Sequence, residues 1–164
     1  MSDSTEAKLR AMEARLQALE DQVAIYQLMT SYGPSVDSLN EDLTASLWTE
    51  DGVYDPGGTP FKGTAGLVSL VRGKVHNDYV KKGSAHLTSF PHVKIDGDTA
   101  VATCYSQLFI HQEGEHWRAE RTSSNRWELM RTPQGWKIKL RTNRLLTGSE
   151  EAKALLKKGF PPKK

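Results

Sequence analysis

The hydrophobic period of the sequence changes near its midpoint, and this change restricts the fold more than any other feature. The first half has helical composition and spacing, whereas four later runs are rich in Val, Thr, Ile, Tyr and Trp: residues 84–95, 99–112, 117–131 and 135–146. Gly-containing turns separate these runs, as expected for antiparallel hairpins. Helices followed by a strand meander predict an α+β fold, with a curved antiparallel sheet wrapped around the N-terminal helices.

Residues 4–31 lack Gly and Pro and predict one long helix, which we expect to end at Gly33 and Pro34. Apolar residues recur in it at the a/d spacing of a coiled-coil seam: Leu9, Met12, Leu16, Leu19, Val23 and Tyr26. So short a seam needs a partner, either another subunit or the outside of its own sheet. We favour a homo-oligomer, a dimer or a trimer.

Shorter elements are expected further along: a helix capped by Ser38 or Asn40, a strand at Val53–Asp55, and a third helix from Gly63 to about Tyr79. Near the end, Ser149 is expected to cap a last short helix, which a Pro-containing tail follows. The chain therefore divides into a helical extension at 1–22, a main domain at 23–150, and a C-terminal helix and tail at 151–164.

The charge distribution argues against a nucleic-acid partner. The 22 basic and 20 acidic residues are scattered in both signs, and a solvated tail explains the basic cluster at Lys157, Lys158, Lys163 and Lys164. No apolar run approaches the ~18 residues that cross a bilayer, so no membrane partner is expected. The single cysteine, Cys104, and an N terminus without a signal-peptide pattern favour a reducing cytoplasm.

Four sequence blocks stand out: WTEDGVY, FKGTAG, a His-led strand followed by DGDTA, and ELMRTPQGWKI. With these blocks, residues 20–150 resemble the SnoaL-like, nuclear-transport-factor-2-like superfamily. The resemblance implies a cone with an interior pocket that holds a small hydrophobic molecule. Similar proteins include scytalone dehydratase, bile-acid dehydratase, ketosteroid isomerase, polyketide cyclases, a dehydrochlorinase and small subunits of ring-hydroxylating dioxygenases. A fold shared so widely does not name a reaction.

The resemblance places a catalytic pair at His86 and Asp37. His86 begins a predicted strand where the dehydratase and dehydrochlorinase relatives carry their catalytic His, and Asp37 lies where they carry its carboxylate partner. A neutral His can abstract a proton near neutral pH, and a buried Asp on its other nitrogen fixes the tautomer and stabilises the imidazolium. The alternative is a structural His beside a turn or cap residue.

Two tyrosines are further candidates. Tyr32 falls where similar dehydratases have a Tyr facing the substrate, and Tyr54 lies on the short strand that commonly lines the same pocket. A phenol can donate to a substrate carbonyl and stabilise an enolate. Alternatively, both rings fill the core with their hydroxyl groups at its edge.

The strand over residues 99–112 has two faces. Its mixed aromatic and polar face is expected to form the pocket wall, because small-molecule sites combine apolar walls with a few polar groups. This predicts that the ligand contacts Tyr105, Gln107, Phe109 and His111, although His111 is near the strand end and can equally be exposed. Cys104 lies on the opposite face and is interpreted as a small buried hydrophobic residue.

The last two strands carry the remaining candidates for substrate binding: Asn125, Trp127, Arg141 and Arg144. Arg141 and Arg144 face opposite ways, and either could enter the pocket and bind a carboxylate or a polarised oxygen; the alternative is a surface Arg. The AERTSSN run departs from the dehydratases because it offers several Ser and no Asp. This departure weakens assignment to one particular dehydratase.

No metal and no cofactor are expected, since the five His residues lack zinc-ligand spacing and there is no phosphate-binding Gly-rich loop. The sequence thus predicts a lyase or isomerase, dehydratase-like, that acts by His–Asp acid–base catalysis on a carbonyl-containing polycyclic or steroid-like molecule. The alternative is a non-catalytic ligand-binding protein, or a subunit resembling the small subunit of ring-hydroxylating dioxygenases.

Overall fold

The computed structural model describes residues 3–114 and 116–157. Its five helices are α1 (Asp3–Asp37), α2 (Glu41–Ser46), α3 (Gly63–Arg72), α4 (Lys74–Lys82) and α5 (Glu150–Lys157). Its seven strands are β1 (Trp48–Asp55), β2 (Phe61–Lys62), β3 (Ser84–Thr88), β4 (His92–Asp96), β5 (Thr99–Gln112), β6 (His116–Thr132) and β7 (Gly135–Leu145). The predicted α+β class is confirmed.

All seven strands belong to one sheet, in the order β2-β1-β7-β6-β5-β3, and β4 also pairs with β5. Every pairing is antiparallel except that of β1 with β7, which is parallel. The register shifts by one position between Leu108 and Phe109 and again between Glu128 and Leu129. Irregularities of this kind bend a sheet, and here the long strands curve around the helices.

The hydrophobic core lies between α1 and the concave face of the sheet. From α1 come Ile25, Met29, Tyr32 and Val36, and from the sheet come Ala100, Ala102, Cys104, Trp127, Leu129 and Ile138, each no more than 4% exposed. The small side chains of β5 leave room for the indole of Trp127. Burial of this face, rather than helix propensity, fixes the C-terminal half of α1 against the sheet.

The predicted end of α1 at Gly33 and Pro34 is wrong, because the helix continues through both residues to Asp37. Pro34 removes one backbone hydrogen bond, but the surrounding turns are buried against the sheet, and this packing outweighs the loss. The helix ends instead with Leu39 at a φ of 55°. The amides of Leu39 and Asn40 donate to the carbonyl groups of Val36 and Ser35, which is the Schellman pattern of helix termination.

Gly33 has a packing role instead. A Cβ atom added at this position would stand 2.1 Å from the carbonyl oxygen of His86. Only glycine therefore permits the helix backbone to approach β3 so closely. This contact sets the distance between the end of α1 and His86.

The shorter elements follow the predictions with shifted boundaries. The side chain of Asn40 caps α2 by accepting from the amide of Leu43 at 2.9 Å, as predicted. The strand predicted at Val53 begins earlier, at Trp48, and the third helix is divided at Gly73 into α3 and α4. The C-terminal helix follows Ser149 as expected, and the tail predicted beyond residue 157 lies outside the described residues.

The N-terminal half of α1 extends away from the sheet. Five seam residues are 45–64% exposed: Leu9, Met12, Leu16, Leu19 and Val23. The seam therefore does not pack on the outside of its own sheet, which removes that alternative. The helix crosses residue 22 without a break, and the predicted boundary there stays a prediction. None of the described helices combines the length and apolar character of a bilayer span.

Candidate active site

A cavity of about 370 Å³ lies between the C-terminal half of α1, the pair α3 and α4, and the concave face of the sheet. Its wall is mainly apolar. Polar groups converge on it from several elements: Tyr32, Tyr54, His76, His86, Arg141 and Asn143. An apolar cavity with a few convergent polar groups is typical of a small-molecule site.

His86 and Asp37 meet at the edge of this cavity. The Nδ1 atom of His86 lies 2.7 Å from Oδ1 of Asp37, and the His86 amide donates to Oδ2 at 2.7 Å. The Ser84 hydroxyl donates to Oδ1 at 2.6 Å. Because the carboxylate accepts from Nδ1, it holds the ring proton there and leaves the lone pair on Nε2. No hydrogen bond joins Nε2 to a described residue, and His86 lines the cavity.

The carboxylate of Asp37 stays ionised despite its surroundings. Burial raises its pKa, but hydrogen bonds from the His86 ring, the His86 amide and Ser84 outweigh burial and hold the pKa below its ordinary value. Asp37 also lies in the last turn of α1, which has no basic residue. A negative charge at the C-terminal end of a helix is unfavourable. The site thus maintains a charge that would stabilise an imidazolium on His86.

Tyr32 projects from α1 into the cavity wall and is 4% exposed. Its ring centre lies 6.5 Å from that of Tyr54 and 5.8 Å from that of Trp127. Burial raises the pKa of Tyr32 to about 12, and the neighbouring charge of Arg141 offsets this only in part. The hydroxyl group is therefore a neutral hydrogen-bond donor at physiological pH.

Arg141 is the buried cation of the site, at 4% exposed. Its guanidinium carbon lies 4.3 Å from the ring centres of Tyr32 and Trp127 and 4.9 Å from that of Tyr54. Its Nε donates to Oδ1 of Asn125 at 2.9 Å. Its buried Nη1 has no hydrogen-bond partner among residues 3–114 and 116–157. A buried charged donor without a partner costs free energy, so this group is suited to an oxygen of a ligand.

Asn125 and Trp127 stand behind the wall rather than in it. Asn125 is fully buried and accepts from Nδ2 of Asn143 at 3.1 Å as well as from Arg141, while it donates to Ser106 at 2.7 Å. Trp127 closes the core beneath the guanidinium. Both predicted residues are therefore near the site, where they position Arg141 and are not themselves part of the cavity lining.

The choice between the two arginines, which strand alternation left open, is decided by packing. Arg141 enters the cavity, whereas Arg144 points to the other face of β7. There Arg144 donates to the carboxylate of Asp55 at 2.8 Å and to that of Glu151. Arg144 therefore links β1 to α5 through these two ion pairs. It lies outside the cavity lining.

The predicted pocket face of β5 requires a correction. Tyr105 is 49% exposed, and Phe109 and His111 also lie outside the cavity lining; the ring of His111 instead packs edge-to-face on Trp117, at 5.3 Å between ring centres. Gln107 borders the cavity at its exposed side. The inner face is the one with small apolar residues, because these permit close packing against the core. The register shift after Leu108 further changes which residues meet the cavity.

His76 was not singled out by the sequence. It lies on α4 with its ring centre 5.5 Å from that of His86, and its Nε2 is 2.9 Å from the Val36 carbonyl oxygen. Burial is the main cause that lowers the pKa of His76, so the ring is neutral at physiological pH. Its one-turn spacing from Tyr79, which also lines the cavity, is the signal that could have identified it.

The thiol of Cys104 is a core group, as predicted. It is 4% exposed, accepts from Nε1 of Trp127 at 3.3 Å, and has a pKa that burial raises. Within the part of the chain that the structure describes, no three His, Cys, Asp or Glu side chains are grouped as a metal site. The absence of a metal and of a cofactor stays a prediction.

Solved structures define the class of fold. An NTF2-like protein with a cystatin-like fold from Novosphingobium aromaticivorans is 40% identical, with 90% of this chain and 96% of that chain covered and a TM-score of 0.88. A second protein of that organism, provisionally named an aromatic ring hydroxylase, is 27% identical, with 79% of this chain and 91% of that chain covered and a TM-score of 0.65. The hexachlorocyclohexane dehydrochlorinase of Novosphingobium barchaimii is 21% identical, with 80% of this chain and 90% of that chain covered and a TM-score of 0.69. At this identity the likeness shows the fold alone. The protein is thus NTF2-like, with a cystatin-like fold.

The family is more specific than the fold. The profile of the SnoaL-like domain matches residues 17–142, so the chain belongs to the SnoaL-like family. The resemblance predicted from the sequence blocks is confirmed. Among curated proteins, none gives a significant match.

Proposed function

We propose that the protein is a cofactor-free lyase or isomerase of dehydratase type, in which His86 and Asp37 carry out acid–base catalysis. The observation that carries this proposal is the 2.7 Å contact between Nδ1 of His86 and Oδ1 of Asp37 beside an apolar cavity. The superfamily that the sequence blocks resemble includes dehydratases and isomerases. The substrate is a small hydrophobic molecule that contains a carbonyl group and is polycyclic or steroid-like. The cavity of about 370 Å³ is within the usual range of small-molecule sites.

In the proposed reaction, Nε2 of His86 accepts a proton from a carbon α or vinylogous to the substrate carbonyl. The electron pair of the broken C–H bond moves into the carbonyl, and Asp37 stabilises the imidazolium. Arg141 and Tyr32 donate to the enolate oxygen, since the first has an unpartnered Nη1 and the second is a neutral phenol.

The second step decides the reaction class. In a dehydration, the enolate re-forms the carbonyl and a conjugated double bond, and the β-hydroxyl leaves as water with the proton from His86. In an isomerisation, the same proton returns to a different carbon of the dienolate. Both routes restore neutral His86 and need no oxidant or reductant.

A panel of polycyclic and steroid-like β-hydroxy ketones tests the proposal, because dehydration creates a conjugated enone that absorbs in the ultraviolet. We expect His86→Ala and Asp37→Asn each to lower kcat by roughly 10²–10⁴-fold with the fold retained. His111→Ala is the matched control, since this histidine is outside the cavity lining, and we expect its turnover to stay unchanged. Unchanged turnover in both dyad variants would exclude the mechanism.

A second candidate is a non-catalytic ligand-binding protein or a small subunit of an oxygenase. The observation that favours it is the 27% identity to a protein provisionally named an aromatic ring hydroxylase. A stoichiometric complex with an iron–sulfur oxygenase subunit would support this candidate, whereas a stable homo-oligomer that purifies alone would count against it. We propose the homo-oligomer and a cytoplasmic location; the location rests on the single cysteine, Cys104, which cannot form an internal disulfide.

A further inference from the structure

The projecting half of α1 has an apolar stripe that its own chain leaves uncovered. In heptad notation, Leu9, Leu16 and Val23 occupy a positions, and Met12, Leu19 and Tyr26 occupy d positions. All of these except Tyr26 are at least 45% exposed. A helix with so much exposed apolar surface needs a partner helix of matching pattern.

The domain holds this stripe outward. Asp21, on the opposite side of α1, accepts two hydrogen bonds from Arg131, both at 2.6 Å, and Ile25 is fully buried. Where α1 joins the domain, the ring centre of Tyr26 lies 4.5 Å from that of Phe90, which is 77% exposed. The apolar stripe therefore continues from the helix onto the surface of the domain.

Charged residues flank the stripe with opposite signs on its two sides. The g positions are Lys8, Arg15 and Gln22, and the e positions are Glu13, Glu20 and Gln27. In a parallel pair of helices, each g residue meets the e residue five positions later in the partner, so Lys8 meets Glu13 and Arg15 meets Glu20. In an antiparallel pair, g meets g and e meets e, which would oppose like charges.

We propose that two copies of this chain join through a parallel, two-stranded coiled coil of their α1 helices, along residues 8–27. The occupant of the apolar stripe is thus a second copy, and the complementary g and e charges select the parallel orientation. Both cavities then lie at the same end of the coil. This assembly does not depend on the proposed reaction.

Sedimentation of the full chain tests whether the stripe joins the copies. We expect a dimer for the unaltered protein and a monomer for Leu16→Glu/Leu19→Glu. The matched control, Ala7→Glu/Ala14→Glu, places the same charges at f positions on the opposite side, and we expect it to stay dimeric. Tryptophan fluorescence checks that each variant keeps its domain folded. A monomeric or trimeric wild type, or a dimer that survives the seam substitutions, would overturn the proposal.

Charge reversal tests the pairing. Glu13→Lys/Glu20→Lys converts the four attractive pairs of the dimer into repulsive ones. Each converted pair raises the dimer dissociation constant about three- to fourfold, so we expect a rise of about a hundredfold in total at low salt. Adding Lys8→Glu/Arg15→Glu in the same chain restores opposite charges, and we expect it to restore the dimer. Failure of this rescue would contradict the assigned pairs.

Disulfide trapping tests the orientation. In a parallel coil the two copies of residue 12 face each other, so we expect Met12→Cys to form an interchain disulfide on mild oxidation. In an antiparallel coil over the same stripe, residue 12 would face residue 23. Cross-linking only between Met12→Cys and Val23→Cys chains would therefore refute the parallel arrangement. Cys104 is buried and does not compete.

Discussion

Gly33→Ala is a substitution for which the structure reverses an ordinary expectation. In an open helix, alanine is favoured over glycine by about 1 kcal/mol. Here the added Cβ atom would stand 2.1 Å from the carbonyl oxygen of His86, more than an ångström inside normal contact. Both atoms belong to backbone or are fixed to it, so no side-chain rotation relieves the overlap, and α1 or β3 must move.

Overpacking of this kind costs about 1–3 kcal/mol, and the backbone contact places Gly33 at the upper end. After the gain in helix propensity is subtracted, we expect a loss of about 1–2 kcal/mol in the free energy of unfolding. The shift also separates His86 from Asp37, and a misplacement of about 1 Å lowers turnover by about a hundredfold.

Urea unfolding followed by tryptophan fluorescence measures the stability change, with an unchanged m-value as the sign that the folded and unfolded states remain comparable. Gly58→Ala is the control, since a Cβ atom there meets nothing within 4 Å, and we expect no loss. A Gly33→Ala protein as stable as the wild type, or more stable, would refute the account of how α1 approaches β3.

Three further predictions concern charge and hydrogen bonding. Hydrogen bonds from Arg131 hold the pKa of Asp21 at about 2. This ion pair therefore stabilises the fold above about pH 4, and its contribution is lost as the pH falls toward 2. In urea unfolding, Asp21→Asn should lower the free energy of unfolding by about 1–2 kcal/mol at pH 7 and by almost nothing at pH 2. Arg141→Met should weaken binding of a ketone ligand about 10–100-fold in calorimetry, because the buried donor Nη1 is removed. Tyr32→Phe should lower kcat, because it removes a hydrogen-bond donor to the enolate oxygen. Since the pKa of Tyr32 is about 12, the wild-type rate should show no decline from Tyr32 ionisation up to about pH 10.

An equal loss for Asp21→Asn at pH 7 and pH 2 would show that shape, not charge, holds Arg131. Unchanged ligand affinity in Arg141→Met would place the ligand oxygen elsewhere. An alkaline decline near pH 9 that disappears in Tyr32→Phe would mean that the phenol ionises far more easily than its burial indicates.

The fold was predictable because its signals are local. The strand runs, the Asn40 cap and the apolar seam of α1 follow from composition and period, and the pairing of His86 with Asp37 was proposed from the resemblance of sequence blocks. Alternation along β5 distinguishes two faces but cannot say which face is inside. The small residues around Cys104 belong to the core because α1 and Trp127 need that space, and this depends on packing across the whole sheet.

Other features could not be found from local sequence. Gly33 and Pro34 usually stop a helix, but here tertiary burial carries α1 past both, and the reason for glycine is a carbonyl from a strand some fifty residues away. Arg141 and Arg144 look equivalent until β7 is placed between the cavity and Asp55. His76 joins the site only because Gly73 divides the third helix and turns α4 toward the cavity.

Acid–base catalysis by His86 requires that Asp37 holds the proton of His86 on Nδ1 and leaves Nε2 free to accept one from a ligand. Nitrogen-15 NMR of the imidazole ring, recorded on the full chain at neutral pH, measures this directly. We expect His86 to be the Nδ1–H tautomer in the wild type and this preference to be lost in Asp37→Asn. A wild-type ring that carries its proton on Nε2 would contradict the claim, because no lone pair would then be available to the cavity.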